Sequence, residues 1–208
     1  MKFIDEIIKW CDRKPGFSET NAFGSRLICR VNEDVKGDYL HVLYKPLSIK
    51  ESKAFINELI SVNKPSSNAV DAYLDFLDEA NGAILYSGAI VIFGYTQKMQ
   101  SSALYDIPSS ILKMNAMDYI SNQYPRLLYI GNAMHANKGV IKFYLNLDDG
   151  AIVGFYKDKE TITWNSINDF FKYIIFKYDA NYLPTGYHIF NGDRTKGVYD
   201  NAQLFKED

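Results

Sequence analysis

Three histidines, two cysteines and the acidic pair Asp148-Asp149 are the residues through which this chain could do covalent or metal chemistry. His41, His135 and His188 stand far apart, with no HExxH and no other metal-spaced pair. No GxSxG offers a nucleophile elbow. Cys11 and Cys29 lack a CxxC or Cys/His spacing, so the reading is two reduced thiols and no zinc site. Asp148-Asp149 could act as paired carboxylates for a metal or for acid–base work. Gly150 follows at once, between two alternating stretches, and Asp149-Gly150 is therefore predicted as a two-residue hairpin turn. The expectation is a chain with no catalytic residue, no metal and no cofactor.

A glycine-bearing run raises a different chemistry. Residues 73–95 read YLDFLDEANGAILYSGAIVIFGY. A phosphate cradle needs a strand before its glycines, a helix after them and a lysine close by. Here a helical pattern precedes the glycines, strand-like residues follow, and the lysine is missing. Asn81-Gly82 suits a helix end instead, because both residues tolerate the left-handed conformation. The rest reads as two short strands hinged at Ser87-Gly88.

The elements around these residues follow from periodicity. Phe3, Ile4, Ile7, Ile8 and Cys11 fall at helical spacing, and Pro15-Gly16 ends that helix. Ser25–Val31 and Tyr39–Tyr44 are predicted to pair as a hairpin across the charged NEDVKGD turn. Ser48 and Glu51 form a capping-box pattern ahead of a helix that carries Phe55, Ile56, Leu59 and Ile60. A third helix over about 69–80 buries Val70, Tyr73, Leu74 and Leu77. Residues 106–122 read as one further helix. Strands follow at Arg126–Gly131, Val140–Leu147, Ala151–Tyr156 and Thr161–Trp164. Ser166 caps a last helix with Ile167, Phe170, Phe171, Ile174, Ile175 and Tyr178 inward. Strands in hairpins with helices grouped beside them predict an α+β fold whose antiparallel sheet has about five to six strands.

The charge balance narrows the partners. With 23 Lys and Arg against 25 Asp and Glu the net charge is −2, so no overall basic field attracts nucleic acid or anionic lipid. The N-terminal MKFIDEIIKW lacks the uncharged core of a secretory signal, and the run 80–97 is short of the roughly 20 apolar residues of a spanning helix. A cytoplasmic protein is expected.

One localised charge feature remains. Asp71, Asp75, Asp78 and Glu79 share the outer side of the third helix. The ordinary reading is a solvated helix face; the functional one is an acidic strip facing a basic protein partner. Tyr86 and Tyr95, with Phe93, Tyr144, Phe155 and Tyr156, are candidates for exposed aromatic anchors beside it, against the alternative of sheet packing. Trp164 reads as a core residue.

The ordered series KPLSIKESKAFINELI (45–60), AYLDFLDEANGAIL (72–85), YPRLLYIGNA (124–133), KGVIKFYLNLDDGAIVGFY (138–156) and TITWNSINDFFKYII (161–175) resembles the SUKH superfamily. That family holds yeast glucan-synthesis regulators and bacterial toxin-immunity proteins. Asn81-Gly82 after the helix, the late hairpin with Asp149-Gly150, and the Phe pair of the closing helix carry the resemblance. One stretch departs: 131–139 reads GNAMHANKG where the family often has an acidic, glycine-rich turn. The resemblance implies a SUKH-like domain over 45–178, an N-terminal helix and hairpin extension over 1–44, and a turn-rich tail over 179–208. It also implies a non-catalytic protein-binding domain, an immunity protein that neutralises a cognate bacterial toxin such as a nuclease. The alternatives are a regulatory interaction module without a toxin partner, similar to the cell-wall-synthesis regulators, and thirdly an enzyme without a recognisable motif.

Overall fold

Nine strands lie side by side in chain order and form one antiparallel sheet. The structure is a computed structural model, and it describes residues 3–12, 17–30, 39–61, 64, 68–86, 88–98, 106–135 and 139–179. The predicted turns at Pro15-Gly16 and 32–38, the side chains of Cys11, Cys29, His135 and Tyr178, and the tail from 180 onward lie outside the described residues, as does His188.

Helix α1 (Phe3–Asp12) is followed by strands β1 (Phe17–Ala22), β2 (Ser25–Arg30) and β3 (Tyr39–Leu43). Helices α2 (Ile49–Ser61) and α3 (Asn68–Glu79) come next, then β4 (Ala83–Leu85) and β5 (Ile90–Ile92). Helices α4 (Ile111–Met117) and α5 (Tyr119–Gln123) lead into β6 (Leu127–His135), β7 (Gly139–Asn146), β8 (Ile152–Tyr156) and β9 (Lys159–Trp164). Helix α6 (Ile167–Asp179) closes the described chain.

The mixed α+β class and antiparallel pairing agree with the expectation, whereas the strand number does not. Nine strands replace five to six because β1, β2 and β3 continue the same sheet through the β3–β4 pair. β1 was not foreseen. It turns into β2 through Phe23 and Gly24, at φ 55° and 84°, the left-handed pair that a tight hairpin requires. Lys157 and Asp158, at 48° and 61°, make the same kind of turn between β8 and β9.

Alternation assigns the two faces of the sheet. On one face Phe143 meets Phe170 of α6 at a ring distance of 4.8 Å. On that side Phe3 of α1 stacks on Phe171 of α6 at 3.9 Å and sits edge-on to Phe76 of α3 at 5.4 Å. These aromatics join the main core, which runs from α1 to α6. On the other face Tyr144 stacks on Tyr129 at 5.1 Å and meets Asp118, at the junction of α4 and α5.

That junction corrects the single helix predicted over 106–122. Asp118 is extended, at φ −89° and ψ 123°, and ends α4 while starting α5. Its carboxylate accepts from Ser121 N at 2.8 Å, Tyr144 Oη at 2.9 Å and Lys142 Nζ at 2.6 Å. Three donors gathered on one side chain outweigh the backbone bonds of a continuous helix. The β7–β8 turn is also wider than predicted. Asn146 pairs with Ala151, so four residues, Leu147 to Gly150, make the loop. Leu147 is buried as a core residue, and Gly150 takes the left-handed position at φ 79°.

Candidate functional site

Helix α3 forms where the sequence separates its two sides. Val70, Tyr73, Leu74 and Leu77 are buried, and the Tyr73 hydroxyl donates to the Phe93 carbonyl at 2.5 Å. Asp71, Asp75 and Asp78 are exposed and Glu79 is half-buried. The Asn81-Gly82 helix end stands as predicted, with Gly82 at φ 86°. A Cβ on Gly82 would lie 2.8 Å from the Ile92 carbonyl oxygen and from Gly94 N, so neither φ nor space admits another residue.

The four carboxylates do not serve alike. Asp78 accepts from Ser52 Oγ of α2 at 3.1 Å, and Glu79 from the Ile4 amide of α1 at 3.5 Å. Asp71 and Asp75 have no hydrogen bond or ion pair among the described residues, and both face solvent. The strip thus forks at its C-terminal end, where it ties α3 to its two neighbouring helices, and stays free along its first two turns.

Beside those turns lies a groove of about 610 Å³. Asn68, Ala69 and Ala72 of α3 form one wall, and Asp148, Asp149 and Gly150 of the β7–β8 loop face them. Asn165, Ser166 and Asn168, at the start of α6, make the floor. Ser166 and Asp169 cap α6, with Asp169 N donating to Ser166 Oγ at 3.1 Å and Ser166 Oγ to Asp169 Oδ2 at 2.8 Å. A narrower cleft of about 90 Å³ shares Ala72, Ile167 and Asn168 with the groove and extends it to Asp75 and Glu79.

Together the groove and cleft are lined by four carboxylates (Asp75, Glu79, Asp148 and Asp149) and one guanidinium, that of Arg126. Arg126 is already engaged with Asp148 and with the Leu147 carbonyl, the latter at 3.1 Å. Asp149 accepts from Ala151 N at 2.9 Å, a turn role like the one expected of it. What the arrangement offers a ligand is a negative, acceptor-rich channel. A second depression, of about 350 Å³, lies between the β1–β2 turn and residues 95–98 and 106–108. Lys45 and Lys98 balance Glu51 and Asp106 there, so it carries no comparable field.

Two predicted anchors are corrected. Tyr86 is fully buried: it lies edge-on to His41 at 4.7 Å, and its amide donates to His41 Nδ1 at 3.4 Å. Tyr95 is 3% exposed, packs on Phe55 and donates its hydroxyl to Glu58 at 2.9 Å. Burial and that carboxylate push the Tyr95 phenol up to about 12. Strands β4 and β5 lie inside the sheet, between β3 and β6, so the aromatics that flank them are taken up in packing. Phe93 and Tyr144 are buried for the same reason, and Trp164 is in the core as expected.

Of the three histidines only His41 has a described side chain. It is wholly buried on β3, and burial holds its imidazole down to about 3. Among the described residues no three His, Cys, Asp or Glu side chains gather as a metal would need. No described helix is long and apolar enough to cross a membrane.

A buried polar cluster escaped the sequence reading. Asn115 joins α4 to β6, with its Nδ2 donating to the Ile111 and Tyr129 carbonyls at 2.8 Å. Its Oδ1 accepts from Tyr129 N at 2.8 Å and from Ser121 Oγ at 2.5 Å. Lys64, 4% exposed, donates to the Ser121 and Leu127 carbonyls. Burial moves its ammonium down to about 8, with Asp118 opposing the shift. The D-x-x-S spacing of Asp118 and Ser121 was a readable capping signal; nothing around Lys64 announced its burial. Searches against protein-family models, characterised proteins and solved structures found no match for the chain.

Proposed function

We propose that this chain is a protein-binding domain that neutralises a toxin by holding a basic surface of it against α3. The carrying observation is the acidic groove: Asp71 and Asp75 are exposed on α3, and Asp75 joins Glu79, Asp148 and Asp149 in lining a channel whose one guanidinium is already paired. A nuclease must present a positive cleft to its substrate. A preformed negative channel would fill that cleft, exclude nucleic acid and speed encounter through the long-range field. The resemblance of 45–178 to immunity proteins of the SUKH superfamily supports the same reading.

Individual exposed ion pairs contribute only about 0–1 kcal/mol each, so recognition draws on several carboxylates at once. Rigidity helps too. The Ser166–Asp169 cap of α6 and the Arg126–Asp148 pair hold the groove's walls before binding, which reduces the ordering penalty.

Co-expression with candidate nuclease toxins tests the proposal. The wild-type chain should restore growth, and a variant carrying Asp71→Lys, Asp75→Lys and Asp149→Lys should restore it poorly. Equal rescue by both would place the interface elsewhere. Rescue by neither would favour the regulatory module without a toxin partner.

A further inference from the structure

Three phenylalanines from three helices meet where α1, α3 and α6 come together. Phe3 of α1 stacks on Phe171 of α6 at 3.9 Å, and Phe76 of α3 lies 5.4 Å from Phe3 and 4.9 Å from Phe171. Their rings line the cleft of about 90 Å³. Asp75 and Glu79, one helical turn apart on α3, line it too, as does exposed Ala72.

The volume selects the occupant. A small-molecule site offers about 300 Å³ or more. This cleft, at about 90 Å³, holds the liquid volume of about three waters. That is room for the end of one side chain. The lining selects its chemistry, because aromatic faces attract a cation through their quadrupole and carboxylates attract the same charge. Glu79 is already placed, with its Oε2 accepting from the Ile4 amide at 3.5 Å. Asp75 has no hydrogen bond or ion pair among the described residues.

The two carboxylates also run against the helix that bears them. Helix α3 carries four acidic residues and no basic one. Like charges four residues apart repel, and Glu79 in the last turn faces the negative end of the helix dipole. A cation brought from outside relieves both.

We propose that this cleft is a subsite for one arginine side chain of the partner, its guanidinium held by Asp75 and Glu79 against the phenylalanine rings. Arginine suits the cleft more than lysine does, since a planar, weakly hydrated guanidinium both stacks on rings and forks to two acceptors. The inference rests on the acidic face of α3 being the binding surface, and adds which side chain the partner presents there.

Titration of the free protein with an acetylated, amidated Gly-Arg-Gly peptide tests it without a toxin. At low salt the ring protons of Phe3, Phe76 and Phe171 should shift saturably, with a Kd of about 1–10 mM. The matching Gly-Lys-Gly peptide should bind about threefold or more weakly. Asp75→Asn keeps the shape of the cleft and should weaken the arginine peptide by about threefold to fivefold. Ala72→Met fills the cleft with every charge in place, and should abolish the ring shifts. Both substitutions lie at exposed positions, and an unchanged amide spectrum away from the cleft separates lost binding from a lost fold. Wild-type affinity in either variant, equal affinity for the lysine peptide, or no ring shift by about 50 mM arginine peptide would each overturn the subsite. Such a result would leave the toxin-binding reading to its own growth test.

Discussion

The carboxamide of Asn81 pairs with both backbone groups of Tyr95: its Nδ2 donates to the carbonyl and its Oδ1 accepts from the amide, each at 2.7 Å. A residue foreseen only as a helix end thereby pins α3 to the chain leaving β5, through a buried side chain that mimics a strand. Asn81→Ala should lower stability by about 2–4 kcal/mol, because it strands two buried backbone groups. Asn81→Asp keeps the acceptor but turns a carboxylate toward the Tyr95 carbonyl, and should destabilise at least as much at pH 7. Urea unfolding measures both; values near wild type would mean the pin is dispensable.

His41 sets an acid dependence. Its folded value near 3 lies below the ordinary 6.5, so the unfolded chain binds more protons between those limits. Stability is therefore full above about pH 6.5 and falls as the pH drops toward 3, by up to about 1.4 kcal/mol per unit. Between pH 7.5 and 5 the wild type should lose about 2 kcal/mol relative to His41→Leu, which lacks the titrating ring. Parallel curves for the two proteins would contradict a buried neutral imidazole.

Lys64 sets a second dependence of the same sign at alkaline pH. Its folded value near 8 lies below the ordinary 10.5, so the folded protein sheds the proton first as pH rises. Stability should climb by about 1–2 kcal/mol between pH 8 and 9.5, and Lys64→Met should lack the climb. The window stops short of pH 10, where tyrosines of the unfolded chain begin to ionise while buried Tyr73 and Tyr144 resist.

How much of this was legible depends on whether a residue's role is local. The Ser48–Glu51 box, with Ser48 N on Glu51 Oε2 at 2.8 Å and Glu51 N on Ser48 Oγ at 3.3 Å, was readable because capping spans three residues. The clean division of α3 was readable for the same reason. The fate of Tyr86 and Tyr95 was not, since a strand-like run does not say whether it lies at a sheet's edge or inside it. The break at Asp118 depends on Lys142 and Tyr144, more than twenty residues away in sequence, and a helical period cannot see them. The groove joins α3, the β7–β8 loop and the start of α6, so only its α3 carboxylates and the Asp148-Asp149 turn were visible beforehand.

The central claim, that the acidic groove receives a basic protein surface, is tested most directly by association kinetics, across ionic strength, with a toxin domain whose growth arrest the chain relieves. Asp71→Lys with Asp75→Lys changes the two carboxylates of the α3 strip that have no partner among the described residues, which keeps the fold's own ties through Asp78 and Glu79 intact. The wild-type association rate should fall by about tenfold or more between low and high salt, as expected for electrostatic steering. The double variant should start slower at low salt and show a much flatter dependence. A wild-type rate indifferent to salt, or a double variant that associates as fast and with the same salt slope, would contradict the account.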